Sequence, residues 1–234
     1  MYENLEQLGL NIIQEEKELF NSFSSIFTEY NEKINLISNS DVRYLFEKHI
    51  YDSLAFNLFY EKYGKNKKIK LMDIGTGGGF PAIPISLYYK NVEVVALDSI
   101  NKKINFIKYA ADILNIKNIT PICSRVEDLS SMMRSSFDVV VTRAMAELRI
   151  VLEYAIPFVK VGGYFVAYKS IKAEEEIENA KTAMKLLNSK IVDKIEYSLP
   201  IEEQNKRVLL VIKKEKEVAS SYPRKNGQVK KNPL

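Results

Sequence analysis

Cysteine and histidine occur once each in this 234-residue chain, as Cys123 and His49. A lone cysteine forms no internal disulfide, and one cysteine with one histidine makes no zinc site. Long apolar runs are also missing. No stretch approaches the roughly 18 to 20 residues of a membrane-spanning helix. The start, Met1-Tyr2-Glu3-Asn4, lacks the basic residues that open a secretory signal. These absences point to a cytoplasmic protein without metal or membrane partner, in which Cys123, set in an apolar run, is a small core residue.

Glycine is scarce too, nine in all, yet four of the nine fall within positions 75–79. They stand in Asp73-Ile74-Gly75-Thr76-Gly77-Gly78-Gly79-Phe80-Pro81, after the apolar run Ile69-Lys70-Leu71-Met72. An acid ends a buried strand, a glycine loop follows, and Pro81 opens a helix. Glycine lets the backbone turn tightly and approach a ligand that a Cβ would push away. The loop therefore reads as a nucleotide cradle at the C-terminal end of a strand, where open α/β sheets bind cofactors.

The dinucleotide fingerprint Gly-x-Gly-x-x-Gly is not met, because Phe80 stands where its third glycine belongs. A phosphate loop is excluded by the absence of a closing Gly-Lys-Ser/Thr. The acid two positions before Gly75, with Gly-x-Gly-x-Gly spacing, is similar to the first motif of class I methyltransferases, which bind S-adenosylmethionine. Asp73 then sits close to the cofactor's ammonium. Downstream, Asn91-Val92-Glu93-Val94-Val95-Ala96-Leu97-Asp98 is a second strand ending in an acid, 23 residues after Gly75. A carboxylate at about 20 residues takes the ribose hydroxyls of an adenosine. Asp98 also suits a cap for the helix from Asn101. An NAD-dependent oxidoreductase would share these features but not the glycine spacing.

Hydrophobic residues make up 46% of the chain, enough core for one sizeable domain with an appendage. The net charge of +4 is unevenly spread. Lys213 to Leu234 holds seven Lys or Arg against Glu215 and Glu217, a net of +5, which leaves the rest at −1. Such a basic end suits a nucleic-acid contact.

Residues 3–63 are helical in pattern, with Leu5, Leu8, Leu19, Phe23, Ile26, Phe27 and Tyr30 at mostly helical spacing. A break spans Asn31 to Ser40, and a second helix capped by Asn39 or Ser40 carries His49 and Ser53 on one face. Strands are predicted at 69–73, 92–98, 119–123, 137–142, 162–168, 190–198 and 206–213. Helices are predicted at 81–89, 101–114, 147–156 and 172–188. The alternation predicts an α/β fold with a mostly parallel seven-stranded sheet, helices on both faces and an antiparallel hairpin at one edge. The organisation reads as an N-terminal helical extension (1–63), a central domain (64–214) and a basic tail (215–234).

Several separated motifs now converge. They are Asn35-Leu36, His49 with Asp52-Ser53-Leu54, Asp73 to Pro84, Asp98-Ser99 with Lys102-Lys103, Arg125-Val126-Glu127, Arg143-Ala144, Gly162-Gly163 with Lys169, and Tyr222-Pro223-Arg224 with Gly227 and Pro233-Leu234. Through them the chain resembles the bacterial ribosomal RNA small subunit methyltransferase G family, also called glucose-inhibited division protein B. Ala82 and Ser170 stand where that family usually has glycine. The resemblance implies a class I, Rossmann-like methyltransferase that moves a methyl group from S-adenosylmethionine to N7 of a guanine in the decoding-region loop of 16S ribosomal RNA. The partner is then 16S ribosomal RNA or the small ribosomal subunit.

Under that resemblance Gly75, Gly77 and Gly79 wall the cofactor, Phe80 flanks it and Asp98 takes the ribose. Val126 and Glu127 meet the adenine edge, although Glu127 also suits a helix start. Arg143 contacts the cofactor carboxylate or an RNA phosphate, and Lys169 an RNA phosphate. Arg224, Lys225 and Lys230 hold RNA backbone, and Tyr222 stacks on a base. Guanine N7 has a free in-plane lone pair, so no residue is nominated as catalytic acid or base. His49 reads first as a core histidine hydrogen-bonded to Asp52 or Ser53.

Overall fold

A computed structural model describes residues 2–129, 131–171, 173–201, 206–225 and 227–234. Seven strands, β1 (Ile69–Ile74), β2 (Val92–Asp98), β3 (Ile119–Cys123), β4 (Phe137–Arg143), β5 (Val159–Ser170), β6 (Ser189–Ser198) and β7 (Lys206–Lys214), form one sheet. Their order is β3-β2-β1-β4-β5-β7-β6. β1 to β5 run parallel, and β7 lies antiparallel between β5 and β6. The predicted sheet and hairpin are both present.

Alternation along the strands splits the interior into two cores. Leu71, Val94, Val139, Val141 and Val166 face a layer made by the N-terminal helices and the helices Ala82–Tyr88 and Asn101–Ile113. Met72, Ile74, Val140, Phe165 and Ala167 face Leu148–Ala155, Glu174–Asn179, Lys181–Leu186 and the C-terminal segment. The expected helix 172–188 is these last two short helices, and Lys172 lies outside the described residues. Gly163 is required where β5 crosses a register shift, because a Cβ would meet the Asp138 carbonyl at 2.7 Å.

The N-terminal helix Gln14–Ile34 buries Phe20, Phe23, Phe27 and Asn31 at steps of three and four. It starts where Glu16 accepts from the Ile13 amide at 3.0 Å. It runs four residues into the expected break, because Asn31 is buried and its Oδ1 accepts from the Ile37 amide at 2.9 Å. Ser38, not Asn39 or Ser40, caps the next turn through a 3.2 Å bond from the Asp41 amide. The following helix is broken into pieces and partly π-helical, at Leu45–Tyr51 and Tyr60–Gly64. Cys123 is exposed, contrary to expectation, because β3 is an edge strand. No described helix is long and apolar enough to cross a membrane.

Candidate active site

β1 delivers Asp73 to the C-terminal edge of the sheet, where the glycine loop leaves it. The Gly75 and Thr76 amides donate to the Leu97 carbonyl at 2.8 and 3.0 Å, anchoring the loop to β2. Gly75 and Gly77 have φ of 75° and 58°, in the left-handed region. A Cβ on Gly77 would meet only the Gly75 carbonyl, at 3.9 Å, so this position faces open space, while a Cβ on Gly75 would touch the Met145 side chain at 3.4 Å. Gly79 differs from its expected role. A Cβ there would strike Ile83 at 2.5 Å, so this glycine serves packing against its own helix.

Phe80 is a second correction. It is buried among Phe23, Phe27 and His49, with ring centroids 5.7, 5.2 and 5.1 Å away. The chain turns this ring into the N-terminal layer because that layer offers an aromatic cluster. It does not flank the open side of the loop.

Asp98 is buried at the end of β2. Its Oδ2 accepts from the Gly77 amide at 3.0 Å and its Oδ1 from the Ile100 amide at 2.9 Å. It thus braces the loop and the approach to the helix from Asn101. Asp73 is fully buried, and its Oδ2 accepts from the Ala82 amide at 3.2 Å. Its Oδ1 has no hydrogen-bond partner among the described residues, nor has the neighbouring Thr76 hydroxyl. Burial lifts Asp73 to a pKa of about 7, against the pull of the neighbouring Thr76 hydroxyl and then of the Ala82 amide. After β3, Val126 begins a single 3₁₀ turn with its side chain in the core, and the Glu127 side chain is largely buried.

A cofactor with an ammonium group and a ribose fits these groups. The unpartnered Asp73 carboxylate oxygen at the strand end suits a cation, the open face of Gly77 admits close approach, and Asp98 stands alongside. The described residues contain no cluster of His, Cys, Asp and Glu able to hold a metal ion.

Beside the loop, at the ends of β4 and β5, lies a cleft of about 1440 Å³. Arg143, His49, Asp52, Tyr168 and Lys169 are among its lining residues, and Arg43, Tyr44, Lys48 and Arg207 also contribute. Arg143 is not displayed to an anion as expected. Its Nη1 pairs with Asp52 at 3.0 Å and donates to the Lys48 carbonyl at 3.0 Å. Its Nη2 meets His49 Nδ1 at 2.8 Å, and the guanidinium lies over the Phe80 ring. Asp52 also accepts from Tyr197 at 2.5 Å, and Tyr168 donates to the Ser53 carbonyl at 3.0 Å. These bonds lock the His49 segment to the sheet. His49 partners Arg143 rather than Asp52 or Ser53; the Ser53 hydroxyl bonds the His49 carbonyl instead.

Lys169 is likewise engaged, with Glu176 at 2.6 Å and the Ala146 carbonyl at 2.6 Å. Arg224 departs furthest from its expected role. Its Nε and Nη2 grip Glu153 at 2.8 and 2.6 Å, and its backbone amide adds a 2.8 Å bond to the same carboxylate. Glu153 is wholly buried, so this clamp docks the C-terminal segment on the sheet's second face. Tyr222 packs half-buried on that core, and its carbonyl accepts from Arg134. Lys225 and Lys230 are exposed but do not line the cleft.

Sequence reasoning passed over Thr76, Asp52's ion pair and the rim residues Arg43, Tyr44 and Lys48. The run Arg43-Tyr44 with Lys48, just before His49, carried the signal: an aromatic between cations on an element that lines the cleft. Arg43 and Lys48 both lie over the Tyr44 ring, 5.2 and 5.0 Å from its centroid.

A family model described as rRNA small subunit methyltransferase G matches residues 16–210. Proteins named ribosomal RNA small subunit methyltransferase G from Streptococcus gordonii and Streptococcus sanguinis are each 38% identical over 235 residues. Each match spans all of this chain and 98% of the relative. Among solved structures, M. jannaschii TYW2 in complex with AdoMet matches with a TM-score of 0.51 at 18% identity, over 63% of this chain and 68% of that one. A 16S rRNA adenine-N1 methyltransferase from Catenulisporales acidiphilia matches with a TM-score of 0.51 at 16% identity, over 69% and 92%. At such identities the structural likeness speaks for the fold alone.

Proposed function

The chain belongs to the rRNA small subunit methyltransferase G family, and on that premise we propose that it methylates N7 of a guanine in the decoding-region loop of 16S ribosomal RNA, in the cytoplasm. The observation that carries the reading is the glycine loop, open at Gly77, with the unpartnered Asp73 oxygen and the brace Asp98 beside it and the cleft adjoining. S-adenosylmethionine supplies a sulfonium methyl. Asp73 takes its ammonium, Asp98 its ribose, and the turn at Val126 and Glu127 its adenine edge.

Guanine N7 attacks with a lone pair that carries no proton, so the cleft needs no general base. Its task is to hold N7 in line with the methyl, and positioning of this kind supplies roughly 7 to 11 kcal/mol. The transfer leaves a positive charge on the purine. Arg143, neutralised by Asp52, adds no uncompensated cation beside it. The exposed Arg43, Lys225 and Lys230 are the candidates for RNA phosphates.

The test supplies S-adenosylmethionine labelled on its methyl to 16S rRNA and to small subunits from cells lacking this protein. Borohydride–aniline treatment then cleaves RNA only at N7-methylguanosine. Label with a single cleavage site supports the reading. Label without cleavage refutes the N7 assignment, and no label in either substrate refutes the activity.

A further inference from the structure

A guanidinium only donates hydrogen bonds, so Arg143 Nη2, 2.8 Å from His49 Nδ1, makes that nitrogen an acceptor. The proton of the neutral ring therefore sits on Nε2. Burial, with the Arg143 charge second, pulls the pKa of His49 down to about 3, so the ring stays neutral at working pH. Nε2 is shut off from water and has no acceptor among the described residues. The nearby carboxylates are already occupied. Asp41 holds Lys48 and the Ser38 hydroxyl, and Asp52 holds Arg143 and Tyr197. A buried donor without an acceptor is costly. His49 lines the cleft with Thr142, Arg143 and Ala144, and with Nε2 closed to water in the free protein a base reaches it only when the side chains around it give way.

Guanine presents two acceptors on the edge that carries the reaction, N7 and O6. Adenine presents N7 and the N6 amino donor. We propose that His49 Nε2–H reads O6 of the target guanine and sets selectivity against adenine. The inference rests on the reaction proposed above. His49 belongs to the lining of the cleft, which none of the loop glycines joins. A neutral donor also tolerates the positive charge that methylation places on the purine, where a lysine or arginine donor would repel it. A second acceptor, the cofactor's carboxylate, is an outcome of the test.

The experiment uses 16S rRNA fragments, reconstituted into subunits, with guanosine, inosine or 2-aminopurine riboside at the mapped target. Inosine keeps O6 and 2-aminopurine lacks it, while both keep N7. The full-length parent is compared with His49→Asn, which leaves Arg143 an acceptor but no distal donor, and with His49→Gln, which restores an amide N–H near the Nε2 position. The parent should favour guanosine and inosine over 2-aminopurine in kcat/KM. In His49→Asn that preference should fall by about 5- to 100-fold, the span of one buried hydrogen bond. His49→Gln should recover much of it, and the Kd for S-adenosylhomocysteine should stay unchanged. An undiminished preference in His49→Asn overturns the proposal, as does an indifferent parent should both variants be inactive. Weakened S-adenosylhomocysteine binding with intact base preference also overturns it, by assigning the donor to the cofactor. If the parent methylates none of the RNAs, the proposed reaction fails, and the O6 contact with it.

Discussion

Asp73 is buried with one oxygen satisfied and one not, and its pKa stands at about 7. A cation brought to Oδ1 favours the ionised carboxylate. Below pH 7 the free protein holds a proton that an ammonium-bearing ligand must expel. Affinity for S-adenosylhomocysteine should therefore climb from about pH 5.5 to 7, by up to about tenfold per pH unit, and flatten above. His49, at about 3, does not titrate in that window. Calorimetry in buffers of different ionisation enthalpy should count the proton released, and Asp73→Asn should abolish the slope. A flat profile in the parent would detach Asp73 from the ammonium. Asp98→Ala, which also unbraces Gly77, should weaken the same ligand by about 1.5 to 3 kcal/mol while the fold persists. Unchanged affinity would leave Asp98 a purely structural brace. Both acids were legible in the sequence because each ends an apolar run, Asp73 just before the glycines and Asp98 23 residues after Gly75. The pairing of Arg143, Lys169 and Arg224 was not, because a charge names its partner only once another element arrives opposite it.

At the scale of elements, the helices and strands of the sheet followed from periodicity, and their edges moved by a few residues. The N-terminal pieces did not follow, since π-helical winding between Leu45 and Gly64 has no signature in apolar spacing. The C-terminal segment carried a signal that went unread: Glu153 lies in Ile150-Val151-Leu152-Glu153-Tyr154-Ala155, where a carboxylate amid apolar residues demands a cation. Arg224→Ala should leave that buried charge unpaired and cost about 3 to 5 kcal/mol, with a lower thermal midpoint by calorimetry. A midpoint unchanged would mean that the clamp contributes nothing. Lys225→Ala with Lys230→Ala, both exposed, should alter stability by no more than about 0.5 kcal/mol. On RNA the same pair should make the slope of log affinity against log salt shallower, by up to about 0.7 for each phosphate no longer neutralised. A parental slope would move the RNA surface to the Arg43 and Tyr44 rim.

Across the whole molecule, one sheet edge gathers everything the reaction needs. β1 and β2 present the cofactor acids, β4 and β5 border the cleft, and the N-terminal segment adds His49 and Asp52 to its lining. The C-terminal segment packs on the opposite face of the sheet from that layer. This division explains why cofactor acids, base selectivity and tail stability should respond to separate substitutions. The most direct measurement is mass spectrometry of nuclease-digested 16S rRNA from cells with this gene deleted, then complemented with the parent or with Asp98→Ala. One N7-methylguanosine should vanish on deletion, return with the parent and stay substantially depleted with Asp98→Ala at equal protein level. An N7-methylguanosine content identical in deleted and parental cells would contradict the account.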